Sequence, residues 1–312
     1  MRIEGHLARS YSPDGAFAPS GSTMAVAESG GMVIANIAEG SVEKVVRPRL
    51  ENIASLSIQS ANFVSPTRLF VLASALIKAK HHRTGSAELG FQWDITQDAL
   101  FGKILAMKGG FLPPRYLPLI HYLVLAKAGV FELWNPVTGR GGAIQIAALS
   151  HPAHLFQFSP NGQWLLLAQI ETNASPNPVV VSVPSKQIDN VLVGHEGPVL
   201  GMAFSRDGTK VVTACADGKV RVFSVPSWKL LRTLSGNNGP VHWAEFSPNG
   251  NWVASAGQDT TVRIWSVATG KLVQTLSESQ HPLLTVGFSP DGKYLAATSE
   301  NTVHVWARTR VD

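Results

Sequence analysis

The sequence predicts an all-β fold in which one four-stranded antiparallel sheet is repeated along the chain, and three observations predict it. Phe204, Phe246 and Phe288 stand 42 residues apart each time, inside three copies of one pattern between Val193 and Trp306; a fixed period near 40 residues marks a repeat architecture. Each copy breaks into short apolar runs parted by hairpin signals, Arg206-Asp207-Gly208, Pro248-Asn249-Gly250 and Pro290-Asp291-Gly292, in which Gly and Asn accept the positive φ of a tight turn. The length of 312 residues suits seven such sheets, which need roughly 290 to 300 residues at this period.

A sheet of this size cannot bury both faces alone, so the copies must stack on one another. The expected fold is a seven-bladed β-propeller of four-stranded antiparallel blades, a single domain over 1–312, with clear repeats over 193–306 and degenerate ones over 7–192. The last copy ends at Trp306 and lacks a fourth strand. Met1-Arg2-Ile3 is expected to supply it, closing the ring and removing sheet edges that invite aggregation.

The elements follow in order. In the first blade Ala16–Gly21 makes a turn, and Thr23–Ala27, Met32–Asn36 and Val42–Val46 are strands. In the second, Ser57–Phe63, Leu69–Ala73 and Phe91–Ile95 are strands, with an insertion over 78–90 that holds the one dense basic cluster of the sequence, Lys78-Ala79-Lys80-His81-His82-Arg83. The third has strands at Tyr122–Ala126 and Val130–Trp134, and prolines between Gly109 and Pro118 predict a distorted first strand. The fourth has His154–Phe158, Trp164–Ala168 and Val179–Val183, with a polar insertion over Glu171–Pro178. The first clear copy places strands at Val199–Phe204, Val211–Ala214, Val220–Phe223 and Lys229–Leu234, and the other two copies repeat them.

Gly194-His195, the Phe-Ser-Pro-Asp-Gly-like turns, Asp217, Asp259, and Trp265 and Trp306 closing third strands resemble the WD40 repeat family over about a third of the sequence. Trp93-Asp94 is the one Trp-Asp dipeptide and stands where the family's signature belongs. The resemblance implies an interior network of Asp, His, Ser or Thr, and Trp in each blade, with a buried Asp drawing donors from His and Ser. In the first copy His195, Thr213 and Asp217 fit, with Phe223 in place of Trp. In the second, Ser255, Asp259 and Trp265 fit, with Asn237 in place of His. His195, Thr213 and Asp217 also have the composition of a catalytic triad, but in the family the network is structural, with no oxyanion hole beside it.

Composition narrows the function. Only 15% of residues are charged, and the net charge of +5 comes without the long Lys/Arg runs of a nucleic-acid reader. The single cysteine, Cys215, excludes an internal disulfide, suits a reducing compartment and reads as a small strand filler. Met1–Ser10 has no apolar core of the kind a secretion signal needs, and Phe111–Val130 is broken by Pro113, Pro114, Arg115, Pro118 and His121, which argues against a membrane span. A cytoplasmic protein is expected, with no membrane insertion.

Phosphate-loop, His-Glu-x-x-His and Gly-x-Ser-x-Gly motifs are missing, so no cofactor, metal or catalytic residue is predicted. The expected function is a protein–protein interaction scaffold, monomeric or a subunit of a complex. It would bind a partner protein or peptide on the face bearing the insertions and the loops before each first strand. The candidate partner-binding residues are Lys80, His82, Arg83, Glu196, Asn238, His242, Trp243 and His281, with Trp243 favoured as a hot spot because exposed Trp concentrates binding energy. The alternatives are phosphate or nucleic-acid binding through the basic insertion 78–90, and a propeller enzyme with a site in the central channel.

Overall fold

The computed structural model describes the protein except residues 1, 5–16, 29–30, 52, 78–84, 108–111, 118–121, 128–129, 135–140, 146–154, 169–175, 301 and 308–312. In order run β1 (Arg2–Glu4); β2 (Thr23–Glu28), β3 (Gly31–Asn36) and β4 (Ser41–Val46); β5 (Ile53–Ser65), β6 (Arg68–Ile77), β7 (Gly85–Asp94) and β8 (Ala99–Met107); β9 (Leu112–Leu117), β10 (Tyr122–Lys127), β11 (Val130–Trp134) and β12 (Gly141–Gln145); β13 (Leu155–Phe158), β14 (Trp164–Ala168), β15 (Val179–Ser182) and β16 (Gln187–Val191); β17 (Val199–Phe204), β18 (Lys210–Cys215), β19 (Val220–Ser224) and β20 (Leu230–Leu234); β21 (Val241–Phe246), β22 (Trp252–Gly257), β23 (Val262–Ser266) and β24 (Leu272–Leu276); then β25 (Thr285–Phe288), β26 (Tyr294–Thr298) and β27 (Thr302–Ala307). Among the described residues there is no helix, and the strands form seven antiparallel sheets, six of four strands and one of three, β2–β4.

Two local devices recur among the sheets. The first turn is built by a serine hydroxyl. Ser159, Ser205, Ser247 and Ser289 each donate to the side chain two residues on, Asn161, Asp207, Asn249 and Asp291, at 2.6–2.7 Å. Each hydroxyl also accepts the backbone N–H five residues on, at 2.9–3.0 Å. The Ser-x-Asn/Asp-Gly signal is thus a hydrogen-bonded clip that turns the first strand into the second. The second device is the corner before the outermost strand. Gly40, Asp98, Lys186, Trp228 and Gly270 all occupy it with positive φ, 67°, 53°, 58°, 53° and 72°, the left-handed conformation that glycine adopts most cheaply.

By its contacts the protein divides into two units, Met1–Phe111 with Ser289–Asp312, and Leu112–Phe288. In the first unit β1 pairs antiparallel with β27, Arg2 opposite His304 and Glu4 opposite Thr302, so the N-terminal residues do join the sheet that holds Trp306. One core gathers Phe17, Met24, Val26, Ala296, Val303 and Val305; a second packs Ile34, Phe63, Leu69, Val71, Phe91 and Trp93. The insertion over 78–90 is corrected: β6 and β7 stay paired from Leu69–Trp93 out to Ile77–Gly85, so residues 85–90 belong to a long hairpin arm rather than to a loop.

In the second unit β9 forms despite Pro113 and Pro114, and its pairing with β10 slips between Val124 and Ala126, the distortion the prolines predict. The innermost strands β13, β17, β21 and β25 pack in succession. The approach of β17 to β21 is close: a Cβ on Gly201 would stand 2.7 Å from the His242 carbonyl oxygen. Between these sheets Val212, Val222, Leu234, Val241, Phe246 and Trp265 form a continuous core. The outermost strands β16, β20 and β24 are exposed over almost their whole length.

Candidate functional site

The candidate loops lie in the second unit, where the segment before each inner strand meets the hairpin between the second and third strands. In the first clear copy the Glu196 N–H donates to Asp217 Oδ2 at 3.1 Å and Lys219 Nζ pairs with Glu196 Oε2 at 2.9 Å. In the second copy the Asn238 N–H donates to Asp259 Oδ2 at 2.8 Å. The copies are also tied to one another at this end. Asn237 Nδ2 donates to the Gly218 carbonyl at 3.2 Å, the Leu283 N–H to the Gly257 carbonyl at 3.0 Å, and His242 Nδ1 to the Leu283 carbonyl at 2.8 Å. The result is a hydrogen-bonded set of loops between 194 and 283 that exposes Glu196, Asn238 and His281.

Beneath these loops lies a network that differs from the expected one. His195 is 6% exposed. Its Nδ1 faces two oxygens, the Leu192 carbonyl at 2.9 Å and Asn177 Oδ1 at 3.2 Å, so it carries the proton. Nε2 then accepts the Thr213 hydroxyl at 2.8 Å. Burial first, then the nearby Arg221 guanidinium, lowers the His195 pKa to about 4, so the ring is neutral. Phe223, where Trp was expected, stacks on this imidazole with centroids 5.9 Å apart.

Asp217 does not bond to His195. It accepts from the backbone N–H groups of Glu196 and Lys219 and pairs with Arg221 at 2.8 Å, both side chains about 5% exposed or less. Burial works against its charge, yet these donors hold its pKa down at about 2. The absent Asp–His link means His195, Thr213 and Asp217 are not arranged as a triad.

The second copy follows the same plan with different donors. Trp265 Nε1 donates to Ser255 Oγ at 2.9 Å, and Ser255 Oγ donates to Asn237 Oδ1 at 3.2 Å. Asn237 thereby fills the place expected for His. Asp259 pairs with Arg263 and accepts the Thr261 hydroxyl at 2.8 Å. Sequence reasoning missed both arginines. The signal that could have found them is an Arg set between apolar residues of the third strand, four residues after the Asp, in both copies.

Of the partner-binding candidates, Glu196, Asn238 and His281 are exposed and His242 is half-buried. Lys80, His82 and Arg83 lie outside the described residues. Trp243 is corrected: it is 3% exposed, packed in β21 with its indole N–H on Glu245 Oε2 at 3.1 Å, because β21 sits against β17 and the ring lies over Gly201. It is a core residue and no hot spot. Cys215 is buried and forms no disulfide. Its thiol donates to the Gly197 carbonyl, and burial raises its pKa to about 11. Among the described residues no three His, Cys, Asp or Glu side chains group as metal ligands, and no helix is long and apolar enough to cross a membrane.

Comparison with known proteins agrees with this geometry. The WD40 family profile, described as WD domain, G-beta repeat, matches residues 186–224, 228–266 and 270–307. No curated protein matches the sequence.

Proposed function

We propose, from the premise that this protein holds three consecutive WD40 repeats over 186–307, that it is a non-catalytic scaffold which binds a protein or peptide partner on this set of loops of the second unit. Repeats of this family generally mediate protein–protein interaction. The observation that carries the reading here is the set of loops itself: exposed Glu196 and Asn238 donate their backbone N–H groups to the ion-paired Asp217 and Asp259, and exposed His281 has its N–H on Ser279 Oγ. A preorganised polar surface loses little entropy when it binds. The same reading takes the seven sheets as the blades of one propeller, completed by the β1–β27 pairing. It also places the protein in the cytoplasm, where a lone buried thiol is undemanding.

The test is affinity capture from the native source with the parent protein and with a Glu196→Arg/His281→Glu double variant, followed by titration of each captured partner. The exposed substitutions should leave the melting temperature within about 2 °C, since surface changes of this kind shift stability by roughly ±0.5 kcal/mol, while binding of at least one captured protein falls. Equal affinity of both forms for every captured protein would overturn the assignment of this face.

A further inference from the structure

Asn-Gly dipeptides occur three times, at Asn161-Gly162, Asn238-Gly239 and Asn249-Gly250. In such a pair the glycine nitrogen can attack the asparagine amide carbon, because no Cβ on the glycine shields it. Two things stop the attack: a hydrogen bond that engages the glycine N–H, and bonds that hold the asparagine amide.

The fold supplies both at two of the three sites. Gly162 N–H donates to the Ser159 carbonyl at 2.9 Å and Gly250 N–H to the Ser247 carbonyl at 2.8 Å. Asn161 Oδ1 accepts from Ser159 Oγ at 2.7 Å and from the Gln163 N–H at 3.1 Å; Asn249 Oδ1 accepts from Ser247 Oγ at 2.7 Å and from the Asn251 N–H at 3.1 Å. These are the serine clips of the first turns. Asn238 lies in the exposed set of loops instead. Its backbone N–H is held by Asp259, but among the described residues neither its amide group nor the Gly239 N–H has a hydrogen-bond partner. Both residues are exposed, and Gly239 sits at φ +118°, a conformation open in practice to glycine alone.

We propose that Asn238 is a site of spontaneous deamidation in the folded protein and that Asn161 and Asn249 are protected from it. The Gly239 nitrogen gives its proton to solvent base and bonds to Asn238 Cγ. Nδ2 takes up a proton from solvent, the bond between Cγ and Nδ2 breaks, and Nδ2 leaves as ammonia. Water then adds to either carbonyl of the succinimide and opens it to aspartate or isoaspartate; no oxidant or reductant takes part. The product places a carboxylate on the exposed loop beside Asp259, whose own charge is already held by Arg263.

The experiment incubates the intact protein at mildly alkaline pH, folded and in concentrated urea, and maps peptides by a method that separates asparagine, aspartate and isoaspartate. In the folded protein Asn238 should convert about tenfold faster or more than Asn161 and Asn249, because their attack requires local opening. In urea all three should convert at similar rates. The Asn238→Gln variant should lose the product from that peptide and leave the other two unchanged. Conversion of Asn161 or Asn249 as fast as Asn238 in the folded protein would overturn the proposal. So would an intact Asn238 in the folded protein when the unfolded protein reacts there.

Discussion

Trp228 donates its indole N–H to Asp189 Oδ2 at 3.0 Å, joining the corner of one sheet to the outermost strand of the sheet before it. The same ring meets Trp164 edge-on, centroids 5.2 Å apart at 86°, and is 6% exposed. Its backbone is left-handed at φ 53°, where a non-glycine residue costs on the order of 1–2 kcal/mol. The clasp must exceed that cost. Trp228→Gly should relax the backbone yet lose about 2 kcal/mol or more through the missing ring, whereas Trp228→Phe keeps a ring and should lose about 1 kcal/mol. Urea denaturation measures both, and a glycine variant as stable as the parent would show that the clasp contributes nothing.

A second prediction compares two tryptophans at the same place in two copies. Trp265 has Ser255 as its acceptor. Trp306 Nε1 is buried with no hydrogen-bond partner among the described residues, and the residue that corresponds to Ser255 is Ala297, fully buried and close to the Leu295–Trp306 pairing. Ala297→Ser should add the missing bond and stabilise by about 1 kcal/mol. Ser255→Ala should remove the existing one and destabilise by about 1–3 kcal/mol. Thermal melts of the two variants should move in opposite directions.

The Asp217–Arg221 pair is buried on both sides. Removing one partner of such a pair leaves an uncompensated charge, at a cost of about 3–5 kcal/mol. Arg221→Met should therefore be among the most destabilising single changes in this sheet, and Asp217→Asn added to it should recover part of the loss. A double variant no better than the single would show that packing of the arginine stem, rather than the charge, sets the cost.

Neutral His195 predicts a pH dependence. Its folded pKa, about 4, lies below the usual 6.5, so the unfolded state binds the proton more tightly. The stabilising contribution is complete above pH 6.5, declines as pH falls towards 4, and is gone below that value; its size is on the order of 2–3 kcal/mol. Asp217 adds a separate stabilising contribution, present in full above pH 3.8 and lost as pH falls towards 2. Unfolding free energy measured from pH 7.5 to 4 should fall less steeply in His195→Gln than in the parent. Identical slopes would show that His195 titrates normally in the fold.

Gly201 offers a packing test. With a Cβ only 2.7 Å from the His242 carbonyl oxygen and 2.9 Å from Trp243 Cα, Gly201→Ala must push β17 and β21 apart, and overpacking of this kind costs about 1–3 kcal/mol. An alanine variant with an unchanged melting temperature would show that the two inner strands part freely.

The strands were largely legible in the sequence because turn chemistry brackets them: Val199–Phe204, Val130–Trp134 and Trp164–Ala168 match the structure to the residue. Three features were not. Arg221 and Arg263 received no role from the sequence, since nothing in a strand's alternation shows that its arginine folds back onto the aspartate of the preceding turn. Residues 85–90 read as part of a loop, although the apolar run Leu69–Ile77 offers them a strand to pair with. Trp243 stands close to a loop in sequence, but the bare backbone at Gly201 on the adjacent strand is what draws the ring inward, and that contact spans two copies.

The left-handed corner shared by Gly40, Asp98, Lys186, Trp228 and Gly270 carries a consequence for engineering. Its backbone path persists through five occupants that differ in size, charge and ring content, so position within the sheet dictates it more than residue identity does. The corner at Gly40, where an added Cβ would meet nothing within 4 Å, is therefore a graft point of known geometry, where a fluorophore-bearing residue or a short recognition peptide can be installed without redesigning the strands on either side.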